Sequence, residues 1–341
     1  MRHFILLLLL LLGVGCNKNF HTVYPSLETE PVESSEDAAD DIAIFVHPNQ
    51  PDKQAIIGTN KQKGLVVYNN QGKVLHRYSF GRINNVDLRQ NIPWNGKQIC
   101  IVGGSNRSDN SLVFYQLNEE DLSLQALHKL PITSSVNEVY GFCMYLREET
   151  CYAFVVGKDG VVEQWELMPN KESKLEAKMV RSFDVGEQCE GLVADDELEK
   201  LYVGEEEIGV WKYGANPEDG AQRKVLDQIK SNKHLKADIE GLSIYPQAAG
   251  KGYLLVSSQG NNSYAVYERH EENKYLGSFK IKANEQYGGT SDTDGIDVTA
   301  QAFGPFDKGV FIAQDGHNGK KNQNFKVVDY GAIEKIFLDK N

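Results

Sequence analysis

The sequence predicts an all-β fold: a six-bladed β-propeller with four-stranded antiparallel blades. Three observations carry this reading. Short runs rich in valine, isoleucine, tyrosine and phenylalanine alternate with turn signals, as strands do. A strand pattern ending in aromatic-x-aromatic or similar recurs roughly every 45–55 residues, the size of one blade. Acidic clusters sit beside the strand-like runs from one end of the chain to the other.

Taken in order, the chain opens with Arg2 and His3, the apolar run Phe4 to Leu12, and then Gly13, Val14, Gly15 and Cys16. The run is too short to span a bilayer and suits the core of a signal peptide. Small residues directly before a cysteine resemble a bacterial lipoprotein signal, although Gly13 stands where that pattern has leucine. Residues 1–16 are therefore read as a signal peptide with a lipidated Cys16, and simple secretion is the alternative. An outer-membrane or cell-surface lipoprotein follows, or else a periplasmic or secreted protein. Residues 17–36 are polar and read as a tether, and residues 37–341 as a single propeller domain. The protein is expected to be a monomer.

Within that domain, strand-like runs include Gly64 to Tyr68, Val74 to Phe80, Leu112 to Leu117, Tyr152 to Val156 and Val161 to Leu167. Gly209 to Tyr213, Tyr253 to Ser257, Ser263 to Tyr267 and Gly309 to Ala313 continue the series. Short helices are predicted over 226–235 and 332–338. Beyond Cys16 there are four cysteines, Cys100, Cys143, Cys151 and Cys189, with no C-x-x-C pair, which argues against a zinc ribbon or a thioredoxin-type site. Cys143 and Cys151 flank the turn-like stretch 147–150, so neighbouring strands with a disulfide are one reading. Two buried thiols are the other.

The acidic clusters suggest a site. Asp40 and Asp41 precede an apolar run, Glu206 follows one, and Asp238 and Glu240 alternate on one strand face. Asp294 lies in a further acidic turn. Each alone reads as a solvated turn. Propeller blades bring their loops to one mouth, however, and hard oxygen ligands in such numbers suit calcium. The net charge of -12 argues against nucleic acid. A phosphate substrate would need bound metal or locally placed lysine and arginine.

Colinear segments then carry a family likeness. They are 37–45, 59–61, 64–68, 84–89, 105–108, 138–142, 238–242, 257–264, 290–297 and 313–316. Across 28–328 the chain resembles the β-propeller phytases, calcium-dependent phosphatases of the 3-phytase type that act on inositol hexakisphosphate. The resemblance implies hydrolysis of phytate, or of calcium-phytate, by metal-bound water at the top of the propeller channel. It implies several calcium ions held by Asp40, Asp41, Glu190, Glu206, Asp238, Glu240 and Asp294. Lys61, Arg107, Tyr140 and Lys158 are implied as catalytic and substrate-contacting residues, with Glu206 also catalytic and Asp159 also at the substrate.

The residue types fit that chemistry. Clustered carboxylates repel one another until a cation relieves them. Arginine can fork onto phosphate oxygens, and lysine adds point charge. The sequence departs from the family at Gln62, where a second lysine is usual. It departs again at Gly288 and His317, where an aspartate and a glutamate usually bind a stabilising calcium. That peripheral site is expected to be weak or absent. Two other functions compete: a lactonase-like or other hydrolase on a calcium propeller, and a non-catalytic surface-binding propeller. Lys61, Arg107 and Lys158 favour phosphate over a neutral ester.

Overall fold

The computed structural model describes residues 20–270 and 272–338; the predicted signal peptide and Cys16 lie outside them. Six small sheets make up the described chain, four of them meanders whose strands follow in sequence order from one edge to the other. This is the predicted six-bladed propeller. The innermost strands are Ala39–Val46, Ile83–Trp94, Val139–Arg147, Cys189–Asp195, Ile239–Pro246 and Ile296–Thr299. Blades pack face to face, so inner strands are buried on both sides and read as near-continuous apolar runs. Phe45, Ile57 and Val67 of the first blade meet Val86, Val102 and Tyr115 of the second in one such interface. An outermost strand such as Val74–Tyr78 alternates instead between exposed and half-buried residues.

The ring is closed by the chain's own start. Leu27–Glu28 pairs antiparallel with Lys326 and Val327 and supplies the fourth strand of the last blade. His21–Val23 adds a parallel fifth strand beside Tyr275–Ile281. The expected tether over 17–36 is thus, from His21 onward, part of the propeller. A polar sequence suffices there because docking uses backbone pairing at an outer edge, with Val23 and Val32 as buried anchors.

Of the two predicted helices, the second is present as Tyr330–Leu338. The first is strand Arg223–Gln228 followed by a single 3₁₀ turn at Ile229–Ser231. Pairing with Gly209–Gly214 completes the fourth blade and overrides local helix propensity. All four described cysteines are free and buried. Cys143 and Cys151 do lie on adjacent strands, but opposite Phe154 and Leu146 respectively, and they enter different interblade cores.

One local device positions the site. Five inner strands begin with a bulge, at Asp40-Asp41, Asn84-Asn85, Tyr140-Gly141, Glu190-Gly191 and Glu240-Gly241. Asp294-Gly295 occupies the same place before the sixth inner strand. A bulge turns its side chains out of the pleat's alternation. Glycine takes the second position where the next blade's backbone comes close. A Cβ at Gly141 would stand 2.0 Å from the Glu190 carbonyl oxygen, and one at Gly191 would stand 2.1 Å from that of Glu240. Gly241 donates to the Asp294 carbonyl at 2.8 Å, and Gly295 to that of Asp40 at 3.0 Å.

Candidate active site

The bulges bring carboxylates from four blades together. Oxygens of Glu190, Glu206 and Glu240 lie within 4.8 Å of one another, all three side chains buried. Asp40 and Asp294 join them through Lys61, whose ammonium is 2.9 Å from Asp40, 3.4 Å from Asp294 and 2.7 Å from Asp37. Burial alone would push the Lys61 ammonium down, but the Asp40 and Asp294 charges outweigh it and hold its pKa above the ordinary lysine value. Asp238, half-buried, lines the same cleft, which encloses about 670 Å³.

The electrostatics are those of a cation site. Burial, then the charges of Asp40 and Glu240, push the Glu190 carboxyl well up. Burial, then Asp294 and Glu206, do the same to Glu240. Asp294 is pushed up to about 8 by burial and the Asp40 charge, against the pull of Lys61. Two buried carboxylate oxygens, Asp40 Oδ1 and Glu240 Oε2, have no hydrogen-bond partner among the described residues. Buried acceptors are nearly always satisfied, so these two point to a ligand. An all-oxygen donor set of this kind fits a hard divalent cation.

A basic edge adjoins the carboxylates. Arg107 and Lys158 lie over the Tyr140 ring, 5.7 and 5.0 Å from its centre. Glu138 accepts from Arg107 Nε at 3.0 Å and pairs with Lys158 at 3.3 Å. Buried Asn84 links the two halves: its Nδ2 donates to Glu190 at 2.6 Å, and its Oδ1 accepts from Arg107 at 3.3 Å. Burial and the charges of Glu190 and Glu240 push the Tyr140 hydroxyl far up, so it stays protonated as a donor.

Not every expected residue joins the site. Asp41 faces the opposite way, into a separate channel cavity of about 390 Å³. There Asp41 accepts from Val86 N at 3.0 Å and Asn85 Nδ2 at 3.2 Å. Other carboxylates along that cavity likewise staple neighbouring blades: Asp87 to Met144 N, Asp196 to Leu146 N and Asp297 to Ile44 N. Asp159 is spent on backbone, accepting from Asn137 N of the neighbouring loop and from Val161 N of its own. Gln62 donates to the Ser35 and Asp37 carbonyls, and Lys63 pairs with Glu33.

Sequence reasoning missed four polar residues. Asn84 stands in register with Asp40, Tyr140, Glu190 and Glu240, and that shared position before an apolar strand was the available signal. Glu138 holds the two cations. Gln188 donates to both Glu206 oxygens at 2.8 and 2.9 Å, and Gln259 to Asp294 at 2.7 Å. The last three gave no signal of their own.

The β-propeller domain of Cps50 (Swd1) from Myceliophteria thermophila aligns with a TM-score of 0.46 at 9% identity, over 85% of this chain and 83% of that one. A 3-phytase of Bacillus subtilis (strain 168) is 48% identical over 317 residues, 90% of this chain and 83% of its own length. The phytase family profile matches residues 12–341. The chain therefore belongs to the phytase family and is an enzyme of that class.

Proposed function

We propose that this phytase releases phosphate from myo-inositol hexakisphosphate in a calcium-dependent reaction at the mouth of the propeller channel. One observation carries the reading: a buried carboxylate cluster, with two oxygens that have no partner among the described residues, directly adjoins the cations around Tyr140. Asp40, Glu190, Glu206, Asp238, Glu240 and Asp294 would hold the ions. Asp41 would contribute through the bulge it shares with Asp40. Calcium, when bound, would cancel the carboxylates' repulsion, polarise phosphoryl oxygens and acidify water for attack.

The chain's own residues orient the substrate. Arg107 is held on one side by Glu138 and on another by Asn84, which leaves two of its five N–H groups for phosphate. Lys158 and Lys61 add charge, and the Tyr140 hydroxyl donates a hydrogen bond. Among the described residues the cysteines are buried and offer no exposed thiolate, and burial raises Cys189, the one nearest the cluster in sequence. Direct attack by water is preferred on that ground to a covalent intermediate. Export, with a lipid anchor at Cys16, and a monomeric state complete the proposal.

The test is phosphate release from inositol hexakisphosphate, with calcium and then with a chelator. Release that requires calcium and disappears in Asp238→Ala supports the proposal. No release from folded protein at any calcium level sinks it.

A further inference from the structure

We infer that the outer rim of the fifth blade, where Tyr24, Lys280 and Lys282 lie beside the loop 229–236, is a docking surface for anionic lipid headgroups. The inference rests on the lipid anchor at Cys16 proposed above and gives that anchor an orientation. Phe20 is four residues from Cys16, a stretch that spans no more than about 14 Å when fully extended. Phe20 is itself held against the blade, with the Lys280 ammonium 4.7 Å from its ring centre. An acylated Cys16 therefore brings this rim, rather than any other side of the propeller, next to the bilayer.

The strand pairing decides which side chains this rim presents. His21–Val23 runs parallel to Tyr275–Ile281, with Thr22 opposite Lys280 and Val23 opposite Ile281. Val23, Phe279 and Ile281 turn into the core, so Thr22, Tyr24, Lys280 and Lys282 face outward. Tyr24 is 53% exposed. Tyrosine suits a membrane interface, where its ring meets the acyl boundary and its hydroxyl stays in water. Asn261 ties the loop to the same rim: its amide donates to the His234 carbonyl at 2.8 Å, and its own carbonyl accepts from Lys280 Nζ at 2.5 Å. His234 also stacks on Tyr275, with ring centres 3.7 Å apart.

The charge of this rim runs against that of the chain, which carries -12. Residues 228–237 hold Lys230, Lys233 and Lys236 and no acid, and residues 279–284 hold Lys280 and Lys282 and no acid. Among the described residues, Lys230, Lys236, Lys280 and Lys282 meet no carboxylate at ion-pair distance. Asp227, just before the loop, is engaged by His234 and Tyr267, each at 2.8 Å. Asp238 beyond the first stretch lines the cleft, and Glu285 beyond the second offsets one charge at most. Burial and then the Lys282 charge hold the Lys280 ammonium below the ordinary lysine value, as like charges do with no acid between them. None of the five lysines lines the cleft, so this surface is separate from the substrate site.

The experiment separates the surface from the acyl chain. The mature chain carrying Cys16→Ser is sedimented with vesicles of phosphatidylcholine, alone or mixed with an equal share of phosphatidylglycerol. Chelator is present, so that calcium cannot bridge acidic residues to lipid. Binding should require phosphatidylglycerol and weaken with salt. A lysine beside an anionic surface contributes about fivefold in affinity, so Lys280→Gln with Lys282→Gln should lower the partition coefficient about tenfold or more. Adding Lys230→Gln and Lys236→Gln should lower it further. Lys200→Gln with Lys224→Gln, on the fourth blade, should change it less than about twofold. Phosphate release in calcium should be unchanged in every variant, which also reports that each has folded. Equal binding to both vesicles, binding to neither, or equal losses from the two blades would overturn the docking surface. Vesicle binding does not depend on acylation, so a failure of the anchor shows separately, as wild-type protein that takes up no labelled palmitate at Cys16.

Discussion

The Lys61 ammonium lies 2.9 Å from Oδ2 of Asp40, a carboxylate only 1% exposed. Lys61 is the positive charge that this structure sets among Asp37, Asp40 and Asp294. Removing one partner of a buried ion pair leaves an uncompensated charge, which costs about 3–5 kcal/mol. Lys61→Met should therefore lower the urea midpoint of chelator-treated protein strongly. Calcium should restore most of that stability but not the activity, because the phosphate contact is gone. Equal destabilisation with and without calcium would show that Lys61 acts only as a packing residue.

The cluster also sets a pH dependence. Glu190, Glu240 and Asp294 all titrate above the ordinary carboxylate range, first through burial and then through neighbouring carboxylates, Asp40 among them for all three. Folded protein without metal therefore holds protons that the unfolded chain has released. Stability falls with rising pH wherever the folded state binds more protons. The window opens near the unfolded carboxylate values of about 4 and extends to about 8, the value for Asp294. Chelated protein should thus melt at a lower temperature at pH 8 than at pH 5, and calcium should flatten that slope. A melting temperature independent of pH under chelator would remove the support for a strained, cation-seeking cluster.

The bulge glycines are expected to be intolerant. A Cβ on Gly191 would meet the Glu240 carbonyl at 2.1 Å and Leu242 Cδ1 at 2.4 Å, and the backbone oxygen cannot rotate away. Gly191→Ala should cost about 2–4 kcal/mol, the upper range for overpacking. Because Glu190 and Glu240 flank the contact, whatever folded fraction remains should also bind calcium more weakly. Chemical denaturation and calcium titration of the same variant would check both effects. Wild-type values in each would mean that the blades can separate at this point without cost.

Much of this architecture was legible in the sequence, for reasons that particular residues make plain. The inner strands declared themselves because burial on both faces demands unbroken apolar runs, as at Ile42 to Val46. Asp40, Glu240 and Asp294 were legible because each lies beside such a run, whereas Glu190 was reached only through the family resemblance. The facing of Asp41 was not legible, since only the bulge register decides it. Asn84 was invisible to a search for carboxylates, though it occupies the same ring position. Residues 21–28 read as a tether because an edge strand docks through backbone hydrogen bonds, which leave no hydrophobic period to detect.

The departures at Gly288 and His317 yield a last expectation. A Cβ at Gly288 would stand 3.6 Å from the Lys326 ammonium, which is fully buried and held by Glu28, Asn318 and Asp315. Gly288 lies outside the left-handed backbone region, so a side chain adds no strain there. Gly288→Asp alone places a third carboxylate beside Lys326, and should raise the melting temperature with or without calcium. His317→Glu differs, because His317 now pairs with Asp292 at 2.9 Å. A glutamate would face that aspartate with like charge and destabilise the loop unless a cation joins them. The pair Gly288→Asp, His317→Glu should therefore gain stability chiefly in calcium, by about 2 °C or more for roughly 1 kcal/mol in a large domain. Differential scanning calorimetry of the wild type, both single variants and the pair, in calcium and in chelator, would separate the two effects. No calcium-dependent gain in the pair would mean that the Lys326 ammonium excludes a metal ion from this corner.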